Sequence, residues 1–105
     1  MGTAIDISHL RSIKDRFSFE GKKGFVTGAA GGIGRSTAAA LAELGADVAL
    51  VDINLERARQ NAEEINKRFG THCIALRCDV GDPDSVHAMM DDVLRTYGEV
   101  NFVHS

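Results

Sequence analysis

The stretch that most narrows the fold is Thr27-Gly28-Ala29-Ala30-Gly31-Gly32-Ile33-Gly34. It is a glycine-rich turn between a short apolar run, Phe25-Val26-Thr27, and an amphipathic segment over residues 34–44. A strand that passes through glycines straight into a helix brings the helix N-terminus to the strand's carboxyl end. Free N–H groups and a partial positive charge collect there, so a phosphate is the natural ligand. Gly28 permits the sharp exit from the strand, Gly32 lets a pyrophosphate approach the backbone, and Gly34 lets the helix pack close on the sheet. The spacing is Gly-x-x-x-Gly-x-Gly rather than Gly-x-Gly-x-x-Gly, and a bare glycine-rich turn also serves as a plain connection. A P-loop needs Gly where Ala29 stands and Lys where Arg35 stands, so two of its defining positions fail.

The pattern around the turn is regular. Thr37, Ala40, Leu41 and Leu44 fall on one helical face, with Gly45 just past the end. Val48-Ala49-Leu50-Val51 is a second apolar run. Asn54 can cap a helix whose buried stripe is Leu55, Ala58, Ala62, Ile65 and Phe69, with Glu63/Lys67 and Glu64/Arg68 as i,i+4 pairs on the wet face. Gly70 ends it. Residues 72–78 read as a third strand. Asp82 caps a third helix with Pro83 at its first position, Val86, Met89, Met90, Val93, Leu94 and Tyr97 line its inner face, and Gly98 stops it. Val100 to Val103 begins a fourth strand. The order is β-α-β-α-β-α-β. Strands read as unbroken apolar runs are covered on both faces, which predicts an α/β, doubly wound parallel sheet. Residues 1–20 form a leader in which Leu10, Ile13 and Phe17 suit a short amphipathic turn.

Composition removes several classes of function. At 105 residues the chain is one domain or part of one. Twelve Lys and Arg against fifteen Asp and Glu leave a net charge of −3, which predicts neither nucleic acid nor an anionic membrane as partner. No apolar run reaches the ~18 residues of a membrane helix. Asp6, His9, Arg11, Lys14, Asp15 and Arg16 break any secretory h-region, and Asp6 stands where a myristoylation motif wants Ser or Thr. The expected location is the cytoplasm. Cys73 and Cys78, an odd number of residues apart on one strand, lie ~16 Å apart and point to opposite faces, so no disulfide joins them. With no second Cys or His pair at ligand spacing, a metal site is not expected.

Asp52 adds a second constraint. It stands 18 residues after Gly34, at the carboxyl end of the second run. An acidic residue there accepts hydrogen bonds from an adenosine ribose. Its plainer role is helix initiation. Turn and carboxylate together, each after a predicted strand, point to a dinucleotide.

With these residues in place the sequence resembles the short-chain dehydrogenase/reductase family. Thr27-Gly28-x-x-x-Gly32-Ile33-Gly34 matches that family's cofactor motif, Gly21-Lys22 its lead-in, and Asp79-Val80 the Asp-Val pair used beside adenine. The resemblance runs over residues 21–105, the first portion of a Rossmann-type domain. It implies cofactor contacts at Gly28, Gly31, Gly32, Ile33, Gly34, Asp52, Ile53, Asp79 and Val80. Family members that prefer NADP often carry a basic residue where Gly31 or Ile53 stands here. Asp52 would also repel a 2′-phosphate, so NAD is expected over NADP, although Arg35 follows the motif and could reach a phosphate.

The resemblance further implies hydride transfer between nicotinamide and a secondary alcohol or ketone, and a homo-oligomer when complete. The leader, with Phe17 and Phe19 before Gly21, looks like leaders of sugar- and polyol-acting members. The family's catalytic Tyr-x-x-x-Lys is absent, because four residues after the one tyrosine, Tyr97, stands Asn101. No catalytic residue is carried over. Tyr97 belongs to a buried stripe, and the chain is expected to be an inactive fragment holding the dinucleotide half. The alternative is a non-catalytic nucleotide-binding or interaction module that ends after strand four. A methyltransferase-type site is weaker, since it wants an acidic residue near the end of strand one.

Overall fold

The computed structural model describes residues 18–105. The expected amphipathic turn at Leu10, Ile13 and Phe17 lies outside them. Strands β1 (Lys23–Thr27), β2 (Asp47–Asp52), β3 (Ile74–Arg77) and β4 (Phe102–His104) form one parallel sheet in the order β3-β2-β1-β4. Helices α1 (Gly32–Glu43), α2 (Leu55–Phe69) and α3 (Pro83–Tyr97) make the crossovers. The architecture is α/β and Rossmann-like. Val26, Val48 and Leu50 pack against α1 and α2 on one face, whereas Phe25, Ala49 and Val51 pack against α3 on the other. This alternation explains why β2 reads as a continuous apolar run: each neighbour in sequence meets a different helix layer.

Local chemistry sets most boundaries. The Asn54 side chain accepts from the Arg57 N–H at 3.1 Å and starts α2, and Asp82 accepts from the Asp84 N–H at 3.0 Å ahead of Pro83. Gly70 and Gly98 end these helices in the left-handed conformation that a side chain disfavours. Strand β3 is shorter than residues 72–78, chiefly because its amino end is drawn into other bonds. The Cys73 N–H goes to Asn66 Oδ1 and the His72 N–H to Asp47 Oδ1. Cys73 and Cys78 are both buried, both free, and belong to the two opposite core layers. The fourth strand is also displaced, from residues 100–103 to Phe102–His104. Gly24 decides its seat, since a Cβ there would collide with the carbonyl and ring of Phe102 on the paired strand.

Two packing expectations need correction. The buried face of α1 is Ala38 and Ala42, while Thr37, Leu41 and Leu44 are only partly covered and Ala40 is exposed. The helix meets the sheet through Ala38 and Ala42, small side chains one turn apart, so the inner face is set by how the helix lies rather than by its most apolar residues. On α3, Leu94 points outward at 45% exposure.

At the amino end of the sheet, side chains tie the strands together. Lys23 Nζ donates to Asp47 Oδ2 at 3.0 Å, and the Tyr97 hydroxyl donates to the His72 carbonyl at 2.8 Å. Burial pushes the Tyr97 phenol up and out of its ordinary range. Among the described residues no helix is long and apolar enough to cross a membrane, and no group of three or more His, Cys, Asp or Glu is placed to hold a metal ion.

Candidate functional site

The carboxyl end of β1 opens into the glycine turn. Gly28 (φ +66°) and Gly32 (φ +58°) adopt conformations that L side chains rarely hold. Gly34 is needed for space, because a Cβ on it would collide with the backbone of Gly28. In front of Gly28, Gly31 and Gly32 the space where a Cβ would stand is open. The turn therefore lets a ligand reach the backbone and lets α1 start against β1.

The three helix N-termini differ. Helices α2 and α3 each have a side-chain cap and an acidic residue in the first turn, Glu56 and Asp84. Helix α1 follows Gly31 at its N-cap position, with no side-chain cap and no acidic residue in its first turn. Its first-turn N–H groups have no intrahelical partner, and no side chain among the described residues accepts from Gly32, Ile33 or Gly34. This end can receive an anion.

Asp52 stands beside it at the end of β2. Its Oδ2 accepts from the Ala30 N–H at 3.0 Å and its Oδ1 from the Asn54 N–H at 2.9 Å. A carboxylate has about four acceptor positions, so both oxygens keep capacity for further donors. The Cys78 N–H donates to the Asp52 carbonyl at 3.2 Å, which brings Asp79 and Val80 alongside. Asp79 Oδ1 accepts from the Gly81 N–H at 3.0 Å. Gly28, Val51, Asp52, Ile53, Cys78, Asp79 and Val80 line one cleft of about 220 Å³. Ile33, Ile53 and Val80, all named from the sequence, are three of the five large apolar side chains left exposed among the described residues, at 80%, 58% and 66%. Two of them flank the cleft and offer apolar surface to a planar ring. Arg35 does not enter it, since its guanidinium is bonded to Glu64 of α2 at 3.1 Å.

Residues 22–105 match the family model described as short chain dehydrogenase. The chain belongs to the short-chain dehydrogenase family. Over 100 residues it is 35% identical to the NADP-dependent mannitol dehydrogenase of Alternaria alternata, covering 92% of this chain and 38% of that protein. A hydroxysteroid dehydrogenase structure from Escherichia coli superposes with a TM-score of 0.82 at 32% identity, covering 86% of this chain and 38% of the other. A xylitol dehydrogenase structure with bound NAD+ gives 0.77 at 36%, covering 81% and 32%. The chain thus spans well under half the length of these short-chain dehydrogenases.

The sequence reading missed one residue of this site, Asn61. It is buried on α2, and its amide nitrogen donates to the carbonyls of Ala29 at 3.0 Å and Ala30 at 2.9 Å. The signal was present: Asn61 lies between Ala58 and Ile65 on the apolar stripe, where a polar residue needs a buried partner.

Proposed function

We propose that this chain holds the adenosine and pyrophosphate of a nicotinamide dinucleotide for an oxidoreductase acting on a secondary alcohol or ketone, with polyols as the substrate class and NAD preferred over NADP. The observation that carries the reading is the cleft itself. One carboxylate, Asp52, sits between an uncapped helix N-terminus and an apolar-flanked slot ending at Asp79 and Val80. Gly28, Gly31, Gly32, Ile33 and Gly34 would receive the pyrophosphate on backbone donors. Asp52 would accept from the ribose hydroxyls. Ile53, Asp79 and Val80 would border the adenine.

The residues fit such a ligand. Backbone approach is open at the glycines, and Gly34 cannot carry a side chain. When bound, the nicotinamide supplies the hydride carrier. Every other contribution of this chain is binding: it orients the cofactor's adenosine end and contributes no proton donor to the reaction. Tyr97 is sequestered between the sheet and α3, with its hydroxyl spent on His72. On this reading the 105 residues alone turn nothing over, and catalytic and substrate groups come from a longer parent protein, homo-oligomeric and cytoplasmic.

NAD preference rests on charge. A 2′-phosphate would sit against Asp52, and Arg35, the cation beside the turn, is held by Glu64. The mannitol dehydrogenase relative is named as NADP-dependent, so the preference needs its own measurement. NAD+ and NADP+ are titrated calorimetrically into wild type and Asp52→Ser. Wild type should favour NAD+ about tenfold or more, as the repulsion between a phosphate and a carboxylate implies, and Asp52→Ser should collapse that ratio. Equal binding of both dinucleotides by wild type would remove Asp52 from the ribose role. For the substrate class, the parent protein is mixed with NAD+ and a polyol panel while reduced cofactor is followed by absorbance. Silence with every polyol and secondary alcohol would refute the substrate reading.

A further inference from the structure

Asn61 is the one buried polar residue among the described residues, at 7% exposure. A polar side chain in an apolar stripe is costly unless fully bonded. Both of its donor contacts go to a single place, the consecutive carbonyls of Ala29 and Ala30 in the glycine turn. The N–H groups of the same two residues are also engaged, Ala29 with the Val51 carbonyl at 3.1 Å and Ala30 with Asp52 Oδ2 at 3.0 Å. All four backbone polar groups of Ala29-Ala30 are therefore bonded inside the protein. The donors left over belong to the first turn of α1.

We propose that Asn61 is the positioning residue of the turn: it binds the Ala29 and Ala30 carbonyls, keeps their negative ends off an incoming phosphate, and holds the two peptides so that the free donors of α1 face the ligand. Asp52 fixes the same Ala30 peptide from its N–H side. The Ala30 peptide is thus clamped at both ends, by one residue at the end of β2 and one on α2. Asn61 touches no ligand in this arrangement and acts through the turn. The role deepens the nucleotide-binding reading above and rests on it.

The test uses a ligand pair and a shape-matched variant. Asn61→Leu keeps the branched outline of the side chain and removes both donors. ADP and adenosine are titrated into the 105-residue chain and followed by NMR chemical shifts. ADP affinity should fall about tenfold in Asn61→Leu, the worth of a lost positioning bond. Adenosine, which carries no phosphate, should stay within about twofold. A loss shared equally by both ligands and tracking a lowered melting temperature would make Asn61 a packing residue and overturn the proposal. Unchanged ADP affinity would overturn it as well. Asn61→Ser, which keeps one donor, carries the same comparison if the leucine variant does not fold. Wild-type chain that binds neither ADP nor NAD+ would defeat the nucleotide reading itself, and the role of Asn61 with it.

Discussion

The two ends of the sheet are built on opposite rules. At the amino end, side chains close off one another and the loose backbone groups beside them: Lys23 with Asp47, Asp47 with the His72 N–H, Tyr97 with the His72 carbonyl, and Asn66 with the backbone of Cys73. At the carboxyl end, side chains are spent on shaping the backbone, and a helix terminus is left without a cap. Cavity size and open backbone chemistry point to different ends. The larger hollow, about 380 Å³, lies at the amino end among Ser18, Glu20, Glu43, Asp47 and Thr71. The smaller one, about 220 Å³, has open backbone donors and exposed apolar side chains beside it. On the proposed reading the ligand goes to the open backbone donors rather than to the larger volume.

The sharpest way to break that contrast is Gly34→Ala. The added Cβ meets the backbone of Gly28, which has no side-chain freedom to yield. Overpacking of this kind costs about 3 kcal/mol, and the turn must move, so nucleotide binding should vanish along with much of the stability. Chemical denaturation beside NAD+ titration checks both. Asp47→Ala comes next, from the opposite end. It removes acceptors from Lys23 and from the His72 N–H and should cost about 2 kcal/mol while leaving the glycine turn intact.

The pH response of Asp47 sharpens the same point. Burial raises the Asp47 carboxyl, but the His72 N–H bond and the Lys23 bond and charge outweigh it and hold it below 3.8. A depressed carboxyl contributes stability that is present above its unfolded pKa and is lost as pH falls through the folded one. Melting temperature should therefore drop in acid below about pH 4. Asp47→Asn should start lower at neutral pH and show a shallower acid slope. Equal slopes in the two proteins would assign the acid loss elsewhere.

Legibility in the sequence divides along the same line. Helices α2 and α3 could be read with their ends because Asn54, Gly70, Asp82, Pro83 and Gly98 act on their own neighbours in the chain. The glycine turn, Asp52, Ile53, Asp79 and Val80 were legible as motifs, and the structure gathers them at one end of the sheet. The inner face of α1 was not, because the close approach of Gly34 to Gly28 bears on how the helix lies, and the residues turned inward are Ala38 and Ala42. The limits of β3 depend on Asn66 and Asp47, which reach it from other elements. Asn61 was hidden for a related reason: its partners are backbone carbonyls more than thirty positions away, and a hydropathy pattern carries no record of them.

Arg35 gives the smallest expected effect and the finest test of the carboxyl end. It follows the motif directly, so sequence alone makes it a phosphate-seeking cation. The structure turns it onto Glu64, with both side chains more than half exposed. An exposed pair of this kind contributes at most about 1 kcal/mol, so the tether is weak and a bound 2′-phosphate could compete for the guanidinium. Arg35→Gln should leave NAD+ affinity and stability nearly unchanged. If it also leaves NADP+ affinity unchanged, discrimination belongs to Asp52 alone. If NADP+ affinity falls selectively, Arg35 leaves Glu64 for the phosphate, and the choice of cofactor is a balance between one carboxylate on β2 and one mobile cation on α1.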